Sequence, residues 1–486
     1  MLTPLEIKTF IDNDRTSDKK RQARVGLNYY EGIHDIKDYR IFYIDANGNL
    51  QEDKTKSNIK ITHPFFSELV DQEVQYMLSG QNGFVKSDDT ELKPLLDEYF
   101  NENENFISEL YEVLTDCVVK GFAYAYAYRG EDGKTCFQCA DSLGVVEVRA
   151  KETEDKCDYV IFHYIDRIGK DNKKIKRIQV WSEKETHYFC QVDDGAIVPD
   201  ESVPLNPRPH IVFTKPNDPA TFYEDYGMIP FIRIDNCKKQ FSGLRPIKDL
   251  IDDYDLMAAG LSNNIQDTNE SLYVVKGFSG DNLDELMVNI KAKKHIGVEP
   301  GGDVEIRTID IPYQARQTKL ELDEKSIYRF GFGLNTAGLK DTAATTNIAI
   351  KAAYSLLDLK CNKLEIRLKQ FMRQLLKIVL KEINEANGTD YQQKDVYFDF
   401  EREVPSNAQE NAQIELTDAQ RQQVQINTLL NLDTHLDNET LMQQVFEILD
   451  LNYEDYKDKL PKPDKNDPYT AEKRLNEPKG VVNGTV

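Results

Sequence analysis

The sequence predicts an α+β fold, and three features carry that expectation. The stretch 346–387 contains no Pro and no Gly until Gly388, so it reads as one uninterrupted helix. Between 145 and 191 short β-prone runs recur between turn signals, the pattern of an antiparallel sheet. Amphipathic helical stretches precede that region and follow it, so helices and strands segregate instead of alternating.

The elements follow in order. Residues 1–27 are charged and helical, with Arg15, Lys19, Lys20, Arg21 and Arg24 forming a basic patch that reads as a solvated helix face. Tyr29-Tyr-Glu-Gly32 marks a helix end. A helix is expected over 64–78, where Pro64 suits the first turn and Phe65, Phe66, Leu69, Val70, Val74 and Met77 make one face. From 106 to 128 a second amphipathic helix drifts into the alternating Ala123-Tyr-Ala-Tyr-Ala-Tyr128. Gly130-Glu-Asp-Gly133 is a hairpin turn. Strands are placed at 145–148, 159–166, 176–181 and 186–191, followed by a Pro- and Asp-rich extended connection over 199–226.

Gly227 to Asn236 reads as a strand ending in a turn, and Pro246 opens a helix lasting to about 270. Strand-like segments at 272–275, 295–298 and 304–309 surround a short helix near 283–290, and another helix spans 313–330. The run 331–346 is small, polar and Gly-rich and reads as a loop. In the long helix, Ile350, Tyr354, Leu357, Cys361, Leu364, Leu368, Phe371, Leu375 and Ile378 alternate steps of four and three, which holds one seam on one face. At 1.5 Å per residue this helix is roughly 60 Å long. A strand at 396–400, helical spacing across 406–460 and a Pro-rich charged tail complete the chain.

Composition bounds the function. Sixty-one basic against 84 acidic residues give a net charge of −23 in 486 residues. Tight wrapping of nucleic acid needs a basic surface, whereas acidic walls let DNA pass without holding it. Met1-Leu-Thr-Pro-Leu-Glu6 shows no secretion signal, no apolar run approaches a bilayer span, and seven scattered cysteines read as reduced thiols. Cys136-x-x-Cys139 is the sole metal-like or redox-like spacing; it lacks a second ligand pair and follows a hairpin turn instead of opening a helix. The seven histidines form no cluster, no phosphate loop occurs, and Asp252-Asp-Tyr-Asp255 reads as a solvated helix face. Neither an enzyme nor a cofactor is expected. The long helix holds eight basic against four acidic residues, including Lys369, Arg373, Lys377 and Lys381 at four-residue spacing. That stripe reads as a solvated or ion-paired flank, against an acidic neighbouring subunit for instance, or as a contact to a partner or DNA.

Three stretches together resemble the portal proteins of tailed bacteriophages, in the form found in siphophages of Gram-positive hosts. They are Gly227-x-Ile-Pro-Phe-Ile-x-Ile-x-Asn236 with Leu250-Ile-Asp-x-Tyr254, Ala349-x-Lys351 with Leu357-Asp-Leu-Lys360, and Asn427-Thr-Leu-Leu430 with Glu439-Thr-Leu441. Their order covers most of the chain, from about residue 28 to 455. Where that family commonly has Ser-Gly before the long helix, this chain has Thr346-Asn347, and Asn still serves as an N-cap.

The resemblance implies a cyclic ring of about twelve subunits around a channel for double-stranded DNA, used in packaging and ejection. It implies an N-terminal helical segment at 1–27 and an α+β wing over 28–243, completed by the long helix and strand of 347–405. Stem helices at 244–270 and 313–332 would carry a small α/β clip at 271–312. A tunnel loop at 333–346, a helical crown at 406–460 and a disordered tail at 461–486 follow. In the tunnel loop, Asn335, Thr336, Lys340, Asp341, Thr342, Thr345 and Thr346 would face DNA. Lys291, Lys293, Lys294 and His295 would meet the packaging motor or the adaptor. On the long helix, Tyr354, Leu357, Leu364, Leu368, Phe371 and Leu375 would pack between subunits. Implied partners are further copies of the chain, the terminase large subunit, the head-tail adaptor, and the major capsid and scaffolding proteins. The implied location is a capsid vertex of the virion, reached from the host cytoplasm. Two other classes remain at this point: a head or adaptor component without a DNA channel, and an enzyme using Cys136 and Cys139.

Overall fold

A computed structural model of the chain describes most of residues 1–456; the segments it leaves undescribed include 151–155, 169–172, 268–271, 279–285, 287–296, 308–311, 336–346, 405–407, 432–437 and 457–486. The chain divides into two units, one of residues 1–344 with 348–404 and one of residues 345–347 with 405–486.

In the first unit, helix α1 (Pro4–Thr16) opens with a reciprocal cap: the Thr3 hydroxyl accepts from the Glu6 amide while the Glu6 carboxylate accepts from the Thr3 amide. Ser17 caps the next helix, α2 (Asp18–Tyr30), so the 1–27 stretch is two helices. The basic patch is not simply a solvated face. Lys20 is 1% exposed and donates to the carbonyls of Ser142 (2.5 Å) and Val145 (2.7 Å), with Asp14 at 3.1 Å. Hairpin β1 (Phe42–Ile44) and β2 (Leu50–Glu52) follows, then helix α3 (Phe65–Met77), which buries the face expected from its spacing apart from the half-buried Phe65. Strand β3 (Val85–Lys86) and helix α4 (Leu92–Leu96) lead to α5 (Glu104–Lys120), capped by Asn103.

The α5 helix stops sharply at Gly121, which sits at φ +89°. A Cβ there would lie 2.3 Å from the Gln240 carbonyl oxygen, so only glycine fits the turn. The sequence reading let this helix drift onward; in fact Phe122–Arg129 is strand β4, paired antiparallel with β5 (Thr135–Ala140). Strands β6 (Val145–Val148), β7 (Tyr159–Ile168), β8 (Lys174–Trp181) and β9 (Glu185–Val192) form an antiparallel sheet in sequence order, as their spacing predicted. The connection at 199–226 is more structured than expected. Strands β10 (Val198–Pro199) and β11 (Arg208–Pro209) pair with β9, and β12 (Ile211–Lys215) pairs with β13 (Asp218–Glu224). Strand β14 (Phe231–Asp235) returns beside β4.

Helix α6 (Lys248–Asp267) and helix α7 (Tyr313–Gly331) pack on each other. Lys319 bridges them, 2.5 Å from Asp253 and paired with Asp323 on its own helix. Between them in sequence, β15 (Leu272–Phe278) pairs with β16 (Val298–Arg307), one continuous strand where two pieces were expected. The short helix expected at 283–290 lies almost wholly outside the described residues. The long helix α8 (Asn347–Asn387) is unbroken and ends at Gly388, φ +66°. Strand β17 (Tyr397–Phe398) pairs with β3, joining the chain's later part to its beginning. In the second unit, helices α9 (Ala408–Leu430) and α10 (Asn438–Ile448) pack together.

One large core unites α3, α5, the β4–β5–β14 sheet and α8. A smaller one lies between α1 and the β6–β9 sheet, around Ile7, Ile11, Ile161 and Ile178. No described helix is long and apolar enough to cross a membrane.

Candidate functional site

The long helix is the organising element, and its apolar seam faces its own chain. Leu357, Leu364, Leu368, Phe371 and Leu375 are 0–2% exposed and belong to the large core, with Tyr354 half-buried against it. Packing between subunits, expected for these six residues, is therefore corrected. These side chains are already buried within their own chain, where the Tyr354 ring lies 5.3 Å from Tyr76 of α3 and the Cys361 thiol donates to the Glu73 carbonyl at 3.7 Å. Arg402, 8% exposed, straps the end of the β17 segment to the helix. Its guanidinium donates to Asp358 (2.7 Å), Asn362 (2.7 Å) and Glu365. Buried Glu73 of α3 meets Lys360 at 2.8 Å.

The basic stripe splits in two. Lys369 pairs with Glu365 at 2.7 Å, and Lys381 donates to the Asp225 carbonyl at 2.6 Å. Arg373 and Lys377 are exposed and form no ion pair among the described residues. Steps of four advance 400° around a helix, so a four-residue stripe spirals and its ends reach different surroundings.

The chain leaving α7 is rooted on α3 over residues 332–335. Phe332 takes φ +59°, and the Gly333 amide donates back to the Tyr328 carbonyl at 2.9 Å, closing α7. A Cβ at Gly333 would lie 2.0 Å from the Leu69 side chain, so the backbone presses directly on α3. The Gln72 side chain then clamps Leu334 from both sides, accepting its N–H at 2.9 Å and donating to its carbonyl at 3.1 Å. Asn335 donates to the Glu324 carboxylate at 3.3 Å. Of the residues expected to face DNA, Asn335 is thus a root residue. Thr336, Lys340, Asp341, Thr342, Thr345 and Thr346 lie outside the described residues, as do Lys291, Lys293, Lys294 and His295. Leu69 was legible only as core and Gln72 not at all, because they sit about 260 residues away on a helix that reads as ordinary core.

A buried ionic knot fixes α6 to the N-terminal region. Asp255, 0% exposed, accepts from His34 Nδ1 at 2.6 Å, from His63 Nδ1 at 2.7 Å and from the His63 amide at 3.0 Å. Burial raises the Asp255 carboxyl, but the hydrogen bonds from the two histidines more than offset it, and the carboxyl is held below its ordinary range. The other nitrogen of His34 faces the Tyr29 carbonyl at 3.3 Å, and the two rings stack at 4.4 Å. Tyr29 donates its hydroxyl to Asp252, which also meets Lys248 at 2.7 Å. The acidic run of α6 is therefore an internal fastening and not the solvated face its composition suggested.

The cysteine pair has the wrong surroundings for reactivity. Cys136 and Cys139 lie on β5, opposite Tyr128 and Ala125, and three positions along a strand place side chains on opposite faces. Burial pushes the Cys139 thiol well above its usual range, the reverse of what a thiolate nucleophile or metal ligand needs. No group of His, Cys, Asp or Glu suited to a metal ion occurs among the described residues.

Comparison with known proteins agrees with the resemblance. The family described as "Phage portal protein, SPP1 Gp6-like" matches residues 9–450. The portal protein of Bacillus phage SPP1 is 26% identical over 351 residues, 72% of this chain and 67% of that protein. The portal protein of Clostridium phage phiCD119 is 29% identical over 199 residues, 40% of this chain and 43% of that one. Among solved structures, a chain of the neck of a native GTA particle, computed with C12 symmetry, aligns with a TM-score of 0.40 and 12% identity over 80% of this chain and 90% of that one. The match over 9–450 spans nearly the whole described fold, from α1 to the end of α10, and on that ground the chain belongs to the SPP1 Gp6-like family of phage portal proteins.

Proposed function

We propose that this portal protein works as a closed ring of about twelve copies, set at one capsid vertex, whose channel passes double-stranded DNA during packaging and ejection. The observation that carries the reading is the family match across 9–450, joined to the order of elements inside it. A packed helix pair, α6 and α7, has the antiparallel β15–β16 pair between its members in sequence and precedes a 41-residue helix. In this reading the helix pair is the stem and 271–312 is the clip, which meets the terminase motor and later the head-tail adaptor. The α+β region of 28–243 with α8 and β17 is the wing, facing the capsid and scaffolding proteins. The crown is 406–460.

The tunnel loop is 333–346, with Lys340 its main phosphate contact. Such a contact is non-specific, since phosphate positions DNA without reading its bases. The net charge of −23 suits a channel that must not retain its cargo. Movement of DNA requires a partner that hydrolyses nucleotide, because the chain carries no phosphate-binding loop.

Mass photometry with negative-stain imaging tests the ring. A particle of about twelve to thirteen copies with a central hole is expected; a compact closed dimer refutes the reading. Packaging in a reconstituted reaction tests the loop: Lys340→Glu lowers it, and wild-type efficiency removes Lys340 from the role.

A further inference from the structure

The long helix carries a second stripe that the described residues leave exposed. Leu356, Leu359, Lys363, Ile366, Arg373 and Lys377 each stand two positions after a residue of the buried seam. Two residues turn a helix by 200°, so this stripe lies on the opposite face. Leu356, Leu359 and Ile366 are 41%, 59% and 64% exposed. Lys363, Arg373 and Lys377 are exposed and form no ion pair among the described residues. The steps between 356 and 377, with Gln370 included, run three, four, three, four, three and four, which is the spacing of a helix that buries a seam. The stripe is apolar toward its N-terminal half and basic toward its C-terminal half.

From this pattern we infer that the outward stripe of α8 docks on an acidic face of a second copy of this chain. The inference rests on the ring reading and names a surface that holds the ring together. Charge selects the partner. The chain is strongly acidic, and residues 88–104 alone carry seven acidic residues against one basic. Within that run Asp88, Glu91, Glu102 and Glu104 are exposed and form no ion pair among the described residues. A basic stripe on an acidic protein finds its complement on another copy, and the charges steer and register the contact. The three aliphatic side chains decide between protein and DNA. Phosphate contacts need cations and leave Leu359 and Ile366 in water, whereas a protein interface buries them at about 25 cal/mol per Å² of apolar surface.

The test uses the full chain as it assembles. A photoreactive benzoylphenylalanine at Ile366, in a mixture of unlabelled and ¹⁵N-labelled chains, is expected to give crosslinks between light and heavy copies. Crosslinks confined to one chain, or formed only with added double-stranded DNA, overturn the inference. Arg373→Glu with Lys377→Glu is expected to raise the concentration for half-assembly at least ~10-fold. Leu359→Ser with Ile366→Ser is expected to do so independently, and both variants keep the wild-type melting profile because the positions are exposed. Assembly at the wild-type concentration by both variants also overturns the inference. The two readings separate cleanly. A wild-type chain that forms no closed ring counts against the ring, while crosslinking at Ile366 reads the stripe whatever the number of copies.

Discussion

Replacing Asp255 with alanine removes the acceptor that three donors share. His34 is left with no partner for Nδ1 inside a site that water does not reach, and His63 loses both its ring and its backbone acceptor. Removing one partner of a buried ion pair costs about 3–5 kcal/mol, since the remaining polar group keeps its desolvation and loses its compensation. The third bond, from the His63 amide, adds a further ~1 kcal/mol. The knot spans 221 and 192 residues, so its loss separates α6 from the N-terminal region instead of softening one helix. Urea unfolding of the variant beside wild type is therefore expected to show a loss of at least ~3 kcal/mol. Hydrogen exchange should rise first in 29–38 and 60–64. Asp255→Asn keeps the shape and one acceptor and is expected to recover about half of the loss. A loss below ~1 kcal/mol for the alanine variant would refute the argument, because it would mean the pair's attraction had not exceeded its desolvation.

Further outcomes follow from the same geometry. Arg402→Ala leaves Glu365 and Asp358 without their shared guanidinium and is expected to cost about 2–4 kcal/mol, read as faster exchange over 396–404. Gly121→Ala forces a Cβ to 2.3 Å from a carbonyl at positive φ and is expected to destabilise by well over 1 kcal/mol in a thermal melt, whereas Gly133→Ala, with open space around it, costs less. Acid titration tests the depressed carboxyls. Asp255 is held low by its histidines and Glu147 by Arg233 and Arg149, each against the opposing effect of burial. A depressed carboxyl contributes stability that is complete above the unfolded carboxyl range, about 4, and is lost as pH falls below it. Stability measured from pH 6 to pH 3 should thus drop, with a smaller drop in Asp255→Asn; equal slopes would count against the knot. Cys361, buried with its thiol pushed up to about 12, should resist alkylation until the chain unfolds, as mass spectrometry of a timed reaction can show.

Local pattern determined much of this protein. A strict three-four alternation with no Pro or Gly before Gly388 requires a long helix whatever surrounds it, and the structure runs it from Asn347 to Asn387. Strands β6 to β9 were legible because alternation and turn residues act within a few positions. The portal resemblance was legible too, since it rests on short motifs in a fixed order.

Tertiary structure decided the rest, which depended on residues far apart in the chain. An apolar seam announces that it will be buried and says nothing about what covers it. Here the large core of the same chain, α3 included, does so, and the opposite stripe stays exposed. Scattered histidines and an acidic helix run read as unrelated surface features until folding sets His34 and His63 against Asp255. Lys20 looked solvated because lysine usually is, yet two carbonyls from the β6 region wait at its end. Hydrophobic periodicity is a property of neighbours along the chain; the pairing of charges and the choice of a partner surface are properties of neighbours in space.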